Sequence, residues 1–120
     1  MPLIPSIMLK RLYVRGSLQN TADGFQLAIR NTLAAGTIVA LGPITVDSTT
    51  YEAQAIAVEM GGVRMQASEI TAAAPQRFNM GTTAIIRIKA NALPDGPHEI
   101  SITTDTREAG RLVIESNDSI

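Results

Sequence analysis

Few residues in this sequence could do chemistry, and its single histidine is the first of them. His98 follows Pro97 and opens a predicted strand, where an imidazole could act as an acid, a base or a metal ligand. Without a second histidine or a cysteine, a zinc site would need carboxylates alone, which suit zinc poorly. The alternative is a side chain that hydrogen-bonds to the preceding turn. His98 is therefore a weak site candidate, and we predict no metal site in this chain.

The carboxylates and glycines give no catalytic pattern either. No two acidic residues stand at a spacing that forces them together, so a glycosidase-like pair is not indicated. Gly61-Gly62 lacks the lysine and helix of a phosphate-binding loop, and no serine has a histidine in a recognisable context. The sequence predicts no catalytic residue and disfavours an enzyme that acts alone.

Two apolar groups of residues fall outside any strand pattern, in the arm 1–7 and in the loop 67–81. Each could cover its own core or contact a partner, since aromatic, Met and Arg side chains are enriched at interfaces. The candidates for an interface or a pocket edge are Leu3, Ile4, Ile7, Arg77, Phe78 and Met80. We expect an oligomer, either homomeric or with a different partner.

Composition limits the function classes. The 120 residues suit one domain, 1–120, and 10 basic against 11 acidic residues leave no basic stripe for nucleic acid. No apolar run approaches the roughly 20 residues of a membrane span, and Lys10 and Arg11 follow the N-terminal apolar stretch instead of preceding it, unlike a signal peptide. The absence of cysteine agrees with a reducing compartment. We predict a cytoplasmic protein with no nucleic-acid or membrane partner.

Residues 82–105 carry the strongest structural signal and predict two strands joined by a turn. Ile86 and Ile88 alternate with polar residues in the first strand, as do Ile100 and Ile102 in the second. The sequence LPDGP between them has proline, aspartate and glycine where a tight turn needs them. We expect Ile86 and Ile102 to be buried on facing arms of one hairpin.

Similar alternation and turn signals recur along the chain. They predict further strands at 8–14, 25–30, 37–41, 44–46, 55–60, 63–66 and 109–115, one helical turn at 68–74, and frayed residues at 117–120. About eight or nine short strands separated by turns are typical of an antiparallel β-sandwich or a small barrel. We predict an all-β, single-domain sandwich.

Several short motifs follow one another in an order that resembles a known family. They are SLQN at 17–20, GF at 24–25, ITVD at 44–47, RFNMG at 77–81 and LPDGPH at 93–98. In this order they resemble the small, beta subunits of bacterial C-glycoside deglycosidases. Ser48 departs from that pattern, as does the segment 31–33.

The resemblance implies a non-catalytic accessory subunit, without a cofactor of its own, that supports a larger TIM-barrel catalytic subunit. That subunit would hold a divalent metal, typically manganese, and the complex would cleave the C–C bond of an oxidised C-glycoside. Two other hypotheses remain: a free-standing homo-oligomeric β-sandwich that binds or scaffolds something, and a small enzyme that uses His98 and carboxylates.

Overall fold

Alternating apolar and polar residues produce two antiparallel sheets that face each other in the computed structural model, which describes residues 4–120. Among these residues the helix α1 spans Ser6–Lys10, and ten strands follow: β1 Gln19–Thr21, β2 Gly24–Arg30, β3 Gly36–Val46, β4 Thr49–Tyr51, β5 Ile56–Met60, β6 Val63–Gln66, β7 Gln76–Phe78, β8 Thr83–Lys89, β9 Pro97–Thr106 and β10 Gly110–Ser119. Single 3₁₀ turns occupy Ala53–Ala55 and Ala67–Glu69.

Each sheet contains strands from both the early and the late part of the chain. The first sheet has the order β1-β2-β8-β5-β6, and the second has the order β10-β9-β3-β4, with β7 also paired to β3. Every pairing is antiparallel. The predicted all-β class is confirmed.

The core lies between the sheets and consists mainly of aliphatic side chains. Alternation places Phe25, Leu27 and Ile29 of β2 inward, and β8 does the same with Ile86 and Ile88. Side chains this deeply buried each contribute about 1.5–3 kcal/mol through removal of apolar surface from water.

The predicted hairpin at 82–105 is wrong in its pairing, although both of its strands exist. β8 pairs with β2 and β5 in the first sheet, while β9 pairs with β3 and β10 in the second. Residues 90–96 therefore cross from one sheet to the other. Ile86 and Ile102 are both fully buried, as expected, but they reach the core from opposite sheets. Alternation determines which face of a strand is buried and does not choose its neighbour.

The predicted strand at 8–14 is also wrong. Its first half belongs to α1, which packs against β10, and only Tyr13 makes a bridge, to Ile29 of β2. The Tyr13 hydroxyl donates a hydrogen bond to Asp118 Oδ2 at 2.8 Å. This bond joins an edge of the first sheet to the β10 edge of the second.

Two further local predictions need correction. Residues 117–120 are not frayed, because β10 continues to Ser119 and Ile120 exchanges two backbone hydrogen bonds with Gly96. The helical turn predicted at 68–74 is instead the 3₁₀ turn at Ala67–Glu69, and part of the predicted loop forms β7. No helix among residues 4–120 is long and apolar enough to cross a membrane.

Candidate functional site

An apolar cavity of about 230 Å³ opens between the two sheets where β3 begins. We call this part of the sandwich the open end. The first sheet contributes Ile29, Val58, Met60, Ala84 and Ile86 to the wall, and the second contributes Ile38, Leu41, Phe78, Thr104, Leu112 and Ile114. Both sheets thus surround an apolar volume in which a water molecule would find few hydrogen-bond partners.

Small inward side chains create this volume. Ala84 faces the core from β8 where the next inward residue of that strand is Ile86, and Thr104 faces it from β9 two residues after Ile102. Because these two inward side chains are small, they do not fill the space between the two sheets. The β3–β9 pairing is also irregular beside the cavity, with register shifts between Ile38 and Ala40 and between Leu41 and Ile44.

One side of the rim is the loop 31–36, which a buried amide holds in place. Asn31 Nδ2 donates hydrogen bonds of 2.8 Å to the carbonyl oxygens of Ala34 and Phe78, and Asn31 Oδ1 accepts one from Leu33 N–H. Asn31 therefore ties the loop to β7 at its base, while Ala34 remains exposed at the rim.

Glu108 stands at the rim beside the C-terminal end of the loop 31–36, where it contacts Thr37. Its two carboxylate oxygens accept hydrogen bonds from the backbone N–H and the hydroxyl of Thr37, each at 2.8 Å. The backbone hydrogen bond, and then the hydroxyl one, hold the pKa of Glu108 below its ordinary value, so the carboxylate is ionised at neutral pH. Of the described residues that line the cavity, Glu108 alone carries a charge.

The polar side chains in the wall are already bonded to the protein. Thr104 Oγ1 donates to the Ala40 carbonyl at 2.8 Å, and Thr106 Oγ1 donates to the Gly110 carbonyl at 3.0 Å. Within residues 4–120, no buried side-chain nitrogen or oxygen lacks a hydrogen-bond partner. The inner wall, as far as residues 4–120 form it, presents mainly hydrocarbon.

His98 lies at the other end of the sandwich, which we call the closed end. Its side chain is buried, with Nδ1 at 2.7 Å from Asp47 Oδ2 and Nε2 at 2.7 Å from the Pro94 carbonyl oxygen. A carbonyl and an ionised carboxylate can only accept, so this geometry favours the imidazolium form, in which both ring nitrogens donate.

The pair with Asp47 shifts both titrations. The hydrogen bond to Asp47, followed by the bond to Pro94, raises the pKa of His98, and the bond from His98 lowers the pKa of Asp47. Asp47 has φ 54° and also accepts a hydrogen bond from Glu99 N–H, so the pair fastens the end of β3 to the start of β9. The side chain of His98 thus hydrogen-bonds to the preceding turn, which was the alternative to a role as acid, base or ligand.

The six interface or pocket-edge candidates separate into distinct places. Ile4 and Phe78 line the cavity. Ile7 and Met80 expose 67% and 65% of their surface. Arg77 is exposed, and its Nε donates to Asn79 Oδ1; Leu3 lies outside the described residues.

Sequence reasoning missed the residues that shape the rim. Asn31, Glu108 and Ala84 are not among the candidate residues that the sequence suggested. A polar residue placed directly after a strand, followed by the small residues Ala34, Ala35 and Gly36, was the available signal for the rim loop.

No group of three or more His, Asp or Glu side chains within residues 4–120 is placed to hold a metal ion. The expected TIM-barrel partner and its manganese followed from the family resemblance, so they depend on whether that resemblance holds.

Comparison with protein families gives a different result from the resemblance. The model for "Hydroxymethylglutaryl-CoA reductase, N-terminal domain" matches residues 8–120. No curated protein matches the chain.

The match overturns the predicted kinship with C-glycoside deglycosidases and the accessory role in their lyase reaction. Motifs such as LPDGPH are turn sequences that many small antiparallel sandwiches need, so their order was a poor guide to family. Because the match covers nearly the whole sequence, the chain belongs to the hydroxymethylglutaryl-CoA reductase N-terminal domain family.

Proposed function

We propose that this chain is a non-catalytic β-sandwich domain that binds a small apolar ligand in the cavity at its open end. The observation that carries the proposal is the cavity of about 230 Å³, which aliphatic side chains of both sheets surround. The family's name refers to the N-terminal domain of a reductase. We propose that this chain contributes binding to such a protein, because its inner wall presents hydrocarbon and polar groups that are already bonded.

The energetics favour a ligand whose carbon atoms fill the cavity. Each buried CH₂ group contributes about 0.8 kcal/mol, whereas association costs at least about 4 kcal/mol in lost freedom of motion. Affinity should therefore rise with each added carbon until the cavity is full and then fall.

A titration with toluene tests the proposal, because benzene is known to enter apolar cavities of about 150 Å³. Methyl NMR should show saturable shifts of the Ile29, Ile86 and Ile114 methyl groups. Ala84→Leu, which fills the cavity, should abolish them. Ala57→Leu is the matched control, since it adds the same atoms to the same sheet on a half-buried position outside the cavity. Absence of any saturable shift in the wild-type protein would exclude the proposal.

Self-association is a second candidate function, favoured by two large apolar side chains in water. Ile7 on α1 and Met80 after β7 are the most exposed large hydrophobic residues of the described chain. We propose that one or both contact a neighbouring copy. Light scattering should show an oligomer that Ile7→Ser or Met80→Ser dissociates. A monomer at high concentration would contradict this.

We also propose that the protein acts in the cytoplasm, which its lack of cysteine suggests.

A further inference from the structure

We propose that the ligand of the open end is an uncharged lipid alcohol of about eight to ten carbon atoms, with its hydroxyl group at the Glu108 carboxylate. This inference rests on the proposed binding function and specifies the chemical class of the ligand. It depends on the size of the cavity, the charge at its rim and the unused acceptor positions of Glu108.

The size follows from the volume. A cavity of about 150 Å³ accommodates the six carbons of benzene, so one of about 230 Å³ accommodates roughly nine. The wall combines branched aliphatic side chains with Phe78 and Met60, which adapt to a flexible chain as readily as to a ring.

The charge at the rim excludes an anionic head group. Glu108 is the one charged residue among the described lining residues, and Thr37, its hydrogen-bond partner, is uncharged. A fatty-acid carboxylate held at this rim would face an ionised carboxylate of the same sign, with no lysine or arginine in the lining. Arg77 is near enough to help lower the pKa of Glu108, but it makes no ion pair with it and donates to Asn79 Oδ1 instead. Like charges placed together this way disfavour the wrong ligand strongly.

The hydroxyl group follows from the hydrogen-bond inventory. An ionised carboxylate offers about four acceptor positions, and Thr37 occupies one on each oxygen of Glu108. Asn31, Thr104 and Thr106 already donate their side-chain hydrogens within the protein. The rim therefore favours a ligand that donates a hydrogen bond, and Glu108 is the group that would receive it.

Three probes of matched size test the inference by isothermal titration calorimetry at pH 7.5: 1-nonanol, its isomer 1-methoxyoctane, and nonanoate. The ether has the same atoms as the alcohol but no donor, and the carboxylate carries the charge. We expect 1-nonanol to bind at least about tenfold more tightly than nonanoate, and about tenfold more tightly than the ether, the effect of one hydrogen bond to a charged group.

Glu108→Gln keeps the shape of the side chain and removes its charge. In this variant the preference for 1-nonanol over nonanoate should fall below about threefold, since most of it comes from charge. Glu115→Gln, an exposed carboxylate that is not part of the cavity, is the control and should retain the wild-type preference. If Glu108→Gln does not fold, the affinities of the wild-type protein for the three probes test the inference on their own.

The outcomes separate this inference from the proposed function. Equal binding of the three probes to the wild-type protein, or tighter binding of nonanoate, would overturn the alcohol and leave apolar binding intact. An unchanged preference in a folded Glu108→Gln protein would do the same. If none of the probes binds and toluene also fails, both proposals are wrong.

Discussion

The two ends of the sandwich use the same strands but differ in what fills them. At the closed end Phe25 is fully buried, and its ring meets Tyr51 edge-on, with centroids 5.4 Å apart and planes at 76°. At the open end Ala84 and Thr104 occupy the corresponding inward layer. The space between the two sheets is therefore filled at one end and partly empty at the other, and the size of a few inward side chains makes the difference.

The two ends also differ in whether a carboxylate has a cationic hydrogen-bond partner. Asp47 pairs with the protonated ring of His98, whereas Glu108 accepts hydrogen bonds from the uncharged N–H and hydroxyl of Thr37 and feels Arg77 only from beyond ion-pair distance. Charge balance at one end fastens a turn. In our proposal, the carboxylate beside the cavity determines which ligands the other end accepts.

The largest expected effect tests whether the closed end is tightly filled. Phe25→Ala should lower the free energy of unfolding by about 3–5 kcal/mol, because it removes a fully buried ring and its contact with Tyr51. Urea denaturation measures the change. Phe25→Leu, which retains most of the volume, should cost clearly less. A loss below about 1 kcal/mol for the alanine variant would show that both ends are loosely packed.

A smaller effect concerns the pair of His98 and Asp47. The folded pKa of His98 is raised above 6.5, so its stabilisation is complete below about pH 6.5 and is lost as the pH rises through the folded pKa. The folded pKa of Asp47 is lowered below 3.8, so its contribution is present above about pH 3.8 and is lost on acidification. The pair should therefore stabilise the fold most between these two values.

His98→Gln should lower the free energy of unfolding by about 1 kcal/mol at pH 6, a modest value because Asp47 is half exposed. The difference from the wild-type protein should shrink as the pH rises from 6 to 9, as thermal unfolding would show. Asp47→Asn should weaken the same pH dependence, since asparagine tolerates the positive φ of this position. A wild-type stability that does not change between pH 6 and 9 would contradict the charged pair.

The smallest effect concerns the open end. Ala84→Leu should raise the free energy of unfolding by about 0.5–1 kcal/mol, because the added carbons enter existing space. Ala67→Leu is the comparison: Ala67 is 1% exposed and lies outside the cavity, so the same change there should cost about 1–3 kcal/mol by overpacking. Equal destabilisation by both variants would mean that the cavity does not accept a side chain.

The sequence predicts the inward faces of the strands well and their partners poorly. Alternation identified Ile86 and Ile102 as core, since burial of one face depends only on neighbours along the chain. Whether two consecutive strands share a sheet depends on contacts with distant residues. The LPDGP turn was consequently assigned to a hairpin, although it is the last part of a crossing between sheets.

The candidate site was harder to predict than the fold, for a related reason. A cavity is an absence of atoms among residues from several strands, so no local pattern encodes it. Phe78 and Ile4 stood outside the predicted strands; both line the cavity, although Phe78 belongs to β7. The part played by Glu108 depends on its reaching Thr37, 71 residues away in the sequence.

The crossing of residues 90–96 between the sheets has a consequence for how the chain folds. Each sheet combines strands from both halves of the chain: β2 pairs with β8, β3 pairs with β9, and Tyr13 reaches Asp118. Loops of more than fifty residues must close before these pairings gain any stability, which places folding on a timescale of roughly milliseconds to seconds. A fragment cut anywhere between β5 and β8 would keep unpaired central strands, so neither half should fold without the other.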